Sequence, residues 1–499
     1  MGIPSYFSHI MKTYSISMKR IPTSRSINYV FLDSNSVIYN VIYRLTPTDL
    51  VSNSIIFREI GKELEEILKQ IEPTKMAMIC FDGVAPFAKM KQQRERRFRS
   101  SILRGSSSSP FDTCSITPGT SFMNDLSSWM KHYFEKTKRN SFPYKVIVSG
   151  SDEPGEGEHK IFEYIRNHSV NMQNESVCIH GLDADLIILS LQHQQYVRSL
   201  VLYRDSTCLD IDKLSDCIFH ELSYFKTNKQ NLKHRVIHDY VLLSFFLGND
   251  FLPHFPCLNI RHKGISHLFH AYHQTISSKG LFLTSANKDI LWYNLKQMIS
   301  FLASMEESYM KEEHQHILTS KPRRMKEEDR IPYRHGESFI NPYKSEWKIR
   351  YYRRLFRDTY HPNISISYIR GLQWCLHYYN GIIVDPMYCY KYNYAPLFSD
   401  IVQHIPERNC SLFPPPQKKQ PTFFSPLEQL SYVLPPASYS LLPDNIRKKM
   451  EQENICVGSD AYVPLQWDYC TYLWEAHPLI PHLSMRKISN IVLEETYNE

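Results

Sequence analysis

Two pairs of acidic residues constrain the fold of this chain more than any other feature. In each pair, Glu156 with Glu158 and Asp183 with Asp185, the acids are two positions apart and closely follow a short apolar run. Such runs predict strands, and the carboxyl ends of parallel strands border the clefts of open α/β sheets. Carboxylates that point the same way repel each other and stay ionised together only beside a cation. We therefore expect a site for a hard metal ion at one edge of a sheet.

Two more acids end apolar runs elsewhere in the chain. The runs NYVFLD and MAMICFD end at Asp33 and Asp82, and the stretch 54–71, whose apolar residues have helical spacing, separates them. Strand–helix–strand units of this kind predict a parallel sheet with right-handed crossovers. Because the carboxyl ends of parallel strands share one edge of the sheet, we expect Asp33 and Asp82 to join the two acid pairs there.

A further acid, Asp250, follows an apolar segment at 234–247 and Gly248. This pattern predicts a buried helix that ends at the glycine. The carboxylate of Asp250 could enter the same cleft, or it could serve only the end of this helix.

The segment that follows Asp82 presents a basic helix face. Lys89, Gln93, Arg96 and Arg97 are spaced i, i+4, i+7 and i+8, which places them on one side of a helix. A charged face is often simply solvated. Here it follows a cleft acid directly, which favours a pocket for a phosphate group beside the metal site.

Composition sets only broad limits on this chain. Its 499 residues are enough for two or three domains, and its net charge of +7 permits a polyanionic partner without requiring one. The 11 cysteines show no disulfide or zinc-ligand spacing, and neither a signal peptide nor a membrane span is apparent. We expect a soluble, intracellular protein with no membrane partner, in the cytoplasm rather than the nucleus.

A series of motifs runs in order along nearly the whole chain. They are MGIPSYF, FLDSNSVIY, FDGVAPFAKMKQQRERRFR, EPGEGEHKI, GLDADLIILSL, FLGNDFLPHFP, WKIRYYRRLF, GLQWCLHYYNG, YAPLFSD, VLPPAS and LWEAHPLIP. Together they resemble the Xrn-type 5′→3′ exoribonuclease family, in a form without long C-terminal extensions. The resemblance implies an α/β fold: a parallel-sheet 5′-nuclease (PIN-like) catalytic core with a second, mostly helical, aromatic-rich region packed against it.

The resemblance also implies a division of the chain and a reaction. The core would span 1–275, a helical and charged linker or arm 276–342, and the second conserved region 343–499. The reaction would be stepwise hydrolysis of single-stranded RNA that carries a 5′-monophosphate, with release of nucleoside 5′-monophosphates. The sequence leaves any protein partner unknown.

Site residues follow from the same motifs. Lys89, Gln93, Arg96 and Arg97 match the 5′-monophosphate pocket of the family. The cofactor would be Mg²⁺, as two ions, with Mn²⁺ as an alternative. The implied metal-binding and catalytic acids are Asp33, Asp82, Glu156, Glu158, Asp183, Asp185 and Asp250.

Two positions depart from the family pattern. Tyr39 stands where the family usually has a histidine that stacks on the leading base, and Tyr388 is the predicted partner ring where tryptophan is usual. Two other functions remain open: a structure-specific DNA nuclease of the flap-endonuclease type, and a catalytically silent RNA-binding protein with the same fold. Seven acids argue against the silent protein, because a binder would relieve their mutual repulsion by losing some of them.

Overall fold

The computed structural model describes most of the chain. The described residues are 2–14, 17–18, 26–104, 111–138, 141–181, 183–223, 230–319, 326–414, 424–453, 455 and 463–497.

Within the described residues, nine strands form two sheets. A seven-stranded sheet contains β1 to β7, and β8 pairs with β9 in a small antiparallel ribbon. The strands are β1 Ser17–Met18, β2 Tyr29–Asp33, β3 Met76–Cys80, β4 Lys145–Ser149, β5 Ser176–His180, β6 Ser199–Arg204, β7 Thr207–Asp210, β8 Leu465–Gln466 and β9 His477–Pro478.

The large sheet is parallel through five strands and antiparallel at one edge. Its order is β1-β7-β6-β5-β2-β3-β4. Strands β6, β5, β2, β3 and β4 run parallel, whereas β7 and β1 are antiparallel to their neighbours. The predicted parallel sheet is thus confirmed, with an antiparallel edge added. After β2 the chain adds β3 and then β4 on one side of β2. It later adds β5 and then β6 on the other side of β2. The boundary between β2 and β5 is therefore the topological switch point, where such sheets form a crevice.

Helices make up most of the remaining structure. In chain order they are α1 Tyr6–Thr13, α2 Asn35–Arg44, α3 Asn53–Ile71, α4 Phe87–Arg104, α5 Ser121–Lys131, α6 Gly157–Asn167, α7 Ser169–Met172, α8 Ala184–His193, α9 Ile211–Leu222, α10 Gln230–Ser244, α11 Gly264–Thr275, α12 Trp292–Thr319, α13 His335–Ile340, α14 Trp347–Leu355, α15 Pro362–Tyr379, α16 Phe398–Ile401, α17 Pro426–Val433, α18 Asp444–Gln452 and α19 Met485–Tyr497. Among the described residues, none of these helices is both long and apolar enough to cross a membrane.

Both faces of the sheet are buried, because successive side chains on a strand point to opposite sides. On β2, Val30 and Leu32 pack with α2, α3 and α5 in one buried cluster. Phe31 belongs to a larger cluster on the other face, which includes α6 and α8. This sandwiching explains why the strands read as continuous apolar runs rather than as alternating ones.

The aromatic-rich C-terminal region packs directly on this core. Trp374 and Tyr379 of α15 belong to the same buried cluster as the strand residue Ile179. A separate cluster joins Met90 of α4 to Val433 of α17. The expected mostly helical second region packed on an α/β core is confirmed.

Part of the segment predicted as a linker or arm contributes to the core. Helix α12 buries Trp292, Leu295 and Leu302 in the large cluster. The charged residues at 320–325 of the same segment lie outside the described residues.

Candidate active site

The ends of four parallel strands bring acids to one edge of the sheet. Asp33 is the last residue of β2, directly opposite Cys80 at the end of β3, and Asp82 follows two positions later. Glu156 precedes the first residue of α6, after β4, and Asp183 precedes α8, after β5. The acids therefore lie at or just beyond the carboxyl ends of the strands, with Asp33 and Asp183 at the switch point between β2 and β5.

Backbone and amide donors hold the first carboxylates in place. The Gly157 backbone N–H donates to Asp82 at 2.7 Å, and the Asn35 side-chain amide donates to the other carboxylate oxygen of Asp82 at 2.6 Å. The Leu186 N–H donates to Asp183 at 2.9 Å, which caps α8. Gly157 has no side chain to separate these acids: a Cβ there would lie 2.9 Å from Asp33 Oδ1 and 3.4 Å from Asp82 Oδ1.

Burial and mutual repulsion show that the acids form one cluster. Burial raises the pKa of Asp33 well above its ordinary value, and the charges of Asp82 and Asp183 add to the effect. Burial likewise raises the pKa of Glu158, and nearby Asp183 and Asp185 raise it further, although Lys89 opposes the shift.

The cluster extends to Asp250, which comes from a distant part of the chain. Burial raises the pKa of Asp185 to about 7, and the charge of Asp250 contributes to the shift. The backbone N–H of Gly2 donates to Asp250 Oδ1 at 2.9 Å, so the N-terminal segment closes this end of the cluster. All seven predicted acids are therefore brought together.

The donor set fits a divalent metal ion. Glu156, Glu158 and His159 each offer a ligand atom, and these atoms lie within 4.8 Å of one another. Buried carboxylates that raise one another's pKa gain stability from a nearby cation, and carboxylate oxygens are the ligands that hard divalent ions prefer. The cluster is therefore a candidate metal site, with His159 as a residue that the sequence did not single out.

Lys89 lies inside the acid cluster. Its ammonium group forms ion pairs with Glu156 and, at 2.9 Å, with Asp250. Burial disfavours the charged ammonium, but Asp250 and Glu156 outweigh that effect and raise the pKa of Lys89 well above its ordinary value. Burial also works against ionisation of Asp250, yet the Lys89 charge holds the pKa of Asp250 below its usual range. Lys89 thus neutralises part of the cluster.

The other residues of the basic face lie farther along α4. Gln93 is buried and accepts a hydrogen bond from the Gln429 amide of α17 at 3.3 Å. Burial lowers the pKa of Arg97, and its buried Nη1 has no hydrogen-bond partner in the described part of the chain. Arg96 is close enough to help lower the pKa of Asp250. All four residues therefore lie on α4, with Lys89 at the acids and one buried guanidinium nitrogen of Arg97 without a hydrogen-bond partner among the described residues.

The two predicted stacking residues differ in their surroundings. Tyr39 of α2 is partly buried beside Tyr43, with ring centroids 6.4 Å apart, and it lies near Arg97. Tyr388 is only 7% exposed, and its hydroxyl donates to the Ser367 carbonyl oxygen at 2.8 Å. The Tyr388 ring packs among other core rings, so its position in this structure does not offer a face to a base.

Two adjacent tyrosines of α15 were missed by the sequence analysis. The Tyr378 hydroxyl donates to Glu156, and the Tyr379 hydroxyl donates to Asp185 at 2.7 Å. Tyr378 also contacts the His159 ring, with centroids 3.9 Å apart. In the sequence these two tyrosines are marked only by the motif GLQWCLHYYNG. Nothing near them in the sequence indicates that their hydroxyls reach acids about 200 residues away.

The fold and site define a class of protein: an α/β protein with a buried carboxylate cluster at the switch point of its sheet and a basic helix beside it. Comparison with family models narrows the class. The model described as "XRN 5'-3' exonuclease N-terminus" matches residues 1–205, and the one described as "Xrn1 helical domain" matches residues 230–339 and 340–464. The chain belongs to the Xrn-type family.

Curated relatives with similar sequences are named as exoribonucleases. The "5'-3' exoribonuclease 1" of Homo sapiens is 28% identical over 98% of this chain and 34% of its own length. The protein of the same name from Schizosaccharomyces pombe is 25% identical over 98% of this chain and 48% of its own length. The chain thus spans about a third to a half of the length of these relatives.

Solved structures resemble the chain only distantly. The catalytic core of Rad2 in complex with DNA substrate aligns with a TM-score of 0.34 and 12% identity, over 64% of this chain and 80% of that one. A likeness at this level has no bearing on the function of the chain.

Proposed function

We propose that the chain is a divalent-metal-dependent 5′→3′ exoribonuclease that hydrolyses 5′-monophosphorylated, single-stranded RNA stepwise to nucleoside 5′-monophosphates. The observation that carries the proposal is the convergence of seven acids from distant parts of the sequence on one cluster beside α4. Membership of the Xrn-type family supports it. The division into a core at 1–275, a linker at 276–342 and a second region at 343–499 is part of the same proposal.

The proposed metal ligands are the acids of the cluster, and the proposed ions are two Mg²⁺, with Mn²⁺ as an alternative. When bound, divalent ions of this kind supply an activated water and stabilise the leaving oxygen. The protein contributes the arrangement: donors from Gly157, Asn35 and Tyr379 orient individual carboxylates before any ion binds. Oriented ligands of this kind tune both metal affinity and activity. The proposed ligands are Asp33, Asp82, Glu156, Glu158, Asp183, Asp185 and Asp250.

The proposed site for the 5′-phosphate is the face of α4 that carries Lys89, Gln93, Arg96 and Arg97. Support comes from Arg97, whose buried guanidinium nitrogen has no hydrogen-bond partner among the described residues. Leaving a buried charged donor unpaired is costly, and a phosphate oxygen would satisfy it. A 5′-hydroxyl end would leave the guanidinium unpaired, and a cap or triphosphate would be larger than the group for which the pocket is proposed.

Of the two predicted stacking residues, Tyr39 is the one we propose for the leading base. It is partly exposed and lies near Arg97, as a residue that contacts the first nucleotide should. For Tyr388 the stacking role needs a rearrangement of the core around Trp374, whose ring centroid is 5.6 Å from that of Tyr388.

The proposal is tested with matched 5′-phosphorylated substrates of three kinds: single-stranded RNA, single-stranded DNA and a branched DNA with a 5′ flap. We expect the RNA to be degraded from its 5′ end and the DNA substrates to react more slowly. Equal or faster cleavage of the flap would favour the DNA nuclease. Tight binding of the RNA with no cleavage in Mg²⁺ or Mn²⁺ would favour the silent binding protein.

A further inference from the structure

A cavity of about 330 Å³ lies on the side of α4 away from the proposed phosphate site. Its walls come from α4 and from the segments 247–261, 390–394 and 468–477. Lys91 and Arg99 of α4 line it. At 100° per residue Lys91 lies about 160° from Lys89 and Arg99 lies about 160° from Arg97, whereas Arg99 lies only about 80° from Lys89. We call this space the α4 cavity. Asp250 lies in its wall, so it adjoins the acid cluster without being part of the phosphate face.

Aromatic rings form much of the cavity wall. Tyr390 and Tyr392 lie there with ring centroids 5.4 Å apart, and Phe251 and Trp474 also contribute. The volume falls within the range of small-molecule sites, which combine apolar and aromatic walls with a few polar groups. Planar heteroaromatic rings stack well on such side chains, whatever their exact identity. The wall therefore suits a ligand with a flat ring.

One positive charge at the cavity differs from the others. Lys91 is paired with Glu95 at 3.0 Å, and Arg261 is paired with Glu475 at 2.5 Å. The Arg99 guanidinium donates to the Ala476 carbonyl oxygen at 3.0 Å, and it forms no ion pair with a carboxylate of the described residues. Burial lowers the pKa of Arg99, although Glu95 and Glu475 of the same wall oppose the shift. An anionic group of a ligand would pair directly with this guanidinium.

Polar groups at the cavity also lack partners. Tyr394 and Tyr469 line it, and their hydroxyls are buried with no hydrogen-bond partner in the described ranges. Both side chains are more than nine-tenths buried. The Oε1 atom of Gln92, another wall residue, is also buried and has no hydrogen-bond partner among the described residues. Buried polar atoms are nearly always hydrogen-bonded, so these groups indicate a missing polar partner in the cavity.

From these features we propose that the α4 cavity is a second nucleotide site. The base would lie among the rings, the phosphate at Arg99, and the polar edges of the base or ribose at the tyrosine hydroxyls. The nucleotide that best fits is a nucleoside 5′-monophosphate. The choice of a nucleoside 5′-monophosphate rests on the proposed function, because this nucleotide is the product of the proposed reaction. The existence of a nucleotide site does not depend on the proposed function.

The test measures binding of AMP by calorimetry in EDTA, which removes divalent metal and needs no hydrolysis. The Arg97→Met variant serves as background, because it removes from the proposed phosphate site the guanidinium whose buried nitrogen has no partner among the described residues. We expect this variant to bind AMP, and we expect the added Arg99→Met substitution to weaken binding roughly tenfold or more. Adenosine, which lacks the phosphate, should be insensitive to Arg99→Met.

Two results would overturn the proposal: no AMP binding by the Arg97→Met variant at millimolar nucleotide, or equal binding with and without Arg99. If Arg99→Met does not fold, photolabelling of the Arg97→Met variant with 8-azido-AMP decides the question. We expect AMP-protected labelling within 390–394 or 468–477, and labelling confined to α2 or the acid-bearing loops would contradict the site. RNA degradation is measured separately, so each proposal can fail without the other.

Discussion

Single side chains in the acid cluster have different partners, and this sets what each substitution should do. Asp183 accepts the capping hydrogen bond from Leu186, whereas Glu156 pairs with Lys89 and accepts from Tyr378. A carboxylate that is held only by backbone donors can be replaced by an amide with little change in the fold, because asparagine also caps helices. The charge is then removed with the local structure intact.

We predict that Asp183→Asn binds 5′-phosphorylated RNA but loses hydrolysis by roughly 10³-fold, because a proposed metal ligand loses its charge. Gel-shift binding and release of mononucleotides measure the two properties. Asp125→Asn, which changes an exposed acid of α5, is the matched control and should behave like the unmodified protein. Hydrolysis unaffected by Asp183→Asn would remove this acid from the site.

Arg97 offers a second test at the same scale. Replacing it by methionine keeps the buried stem and removes the guanidinium, so kcat/KM for 5′-monophosphorylated RNA should fall about 10- to 100-fold. The same substitution should change little for 5′-hydroxyl RNA, which makes no use of the charge. Exposed Arg408→Met is the control. An equal loss on both substrates would mean that Arg97 has only a structural role.

At the level of elements, α15 links the second region to the acids. Tyr378 and Tyr379 donate to Glu156 and Asp185, although the two tyrosines lie 222 and 194 residues away from these acids in sequence. Helix α15 is otherwise a core helix, with Trp374 and Tyr368 fully buried. The second region therefore both covers the core and completes the support of the candidate metal ligands.

Tyr379→Phe should lower activity about 10- to 100-fold and raise the metal concentration needed for half-maximal activity, because a ligand loses its orienting hydrogen bond. Tyr368→Phe is a control on the same helix, since its hydroxyl donates to the Pro253 carbonyl oxygen and not to an acid. A metal titration of both variants separates the loss of a hydrogen bond to an acid from the loss of a buried hydroxyl elsewhere on the helix. If the two variants respond alike, loss of any buried hydroxyl explains the change.

The elements differ in how well the sequence predicts them. Strands β2 to β5 were predictable because each is a buried apolar run followed by acids, and α4 because its basic residues recur at helical spacing. The sequence analysis did not identify the antiparallel edge. Strands β6 and β7 form a local hairpin, with Arg204 opposite Thr207, whereas β1 pairs with β7 from a distant part of the chain, with Ser17 opposite Leu209. The ion pairs of Lys89 and the hydroxyl donors of α15 were also not predicted, because they join residues that are far apart in sequence. Tyr388 was predicted from its place in a motif, which does not reveal that neighbouring rings bury it.

At the scale of the whole molecule, the largest buried cluster joins the sheet to α8, α12 and α15, so stability depends on groups far from the site. His180 and His238 are buried, and their ring Nδ1 atoms have no hydrogen-bond partner within the described residues. Burial lowers the pKa of His180 to about 4 and that of His238 to about 3, and nearby cations contribute. Both rings are therefore neutral in the folded protein at neutral pH.

Acidification should weaken the fold through these two histidines. Between about pH 6.5 and 4 the unfolded chain binds the protons more readily, so the free energy of unfolding falls by up to about 1.4 kcal/mol per pH unit for each ring. Urea unfolding from pH 7 to pH 4.5 measures this. A variant with His180→Gln and His238→Gln should show a shallower fall, and exposed His132→Gln should not. Parallel curves for all three proteins would contradict the prediction.

The central claim joins the acid cluster to the basic face of α4: the cluster cuts RNA, and the helix restricts cutting to a phosphorylated 5′ end. The most direct measurement is the product pattern from one RNA sequence prepared with a 5′-monophosphate, a 5′-triphosphate or a 5′-hydroxyl, in the presence of Mg²⁺. We predict nucleoside 5′-monophosphates from the first RNA and little product from the other two. Equal degradation of all three, or release of internal fragments, would contradict the account.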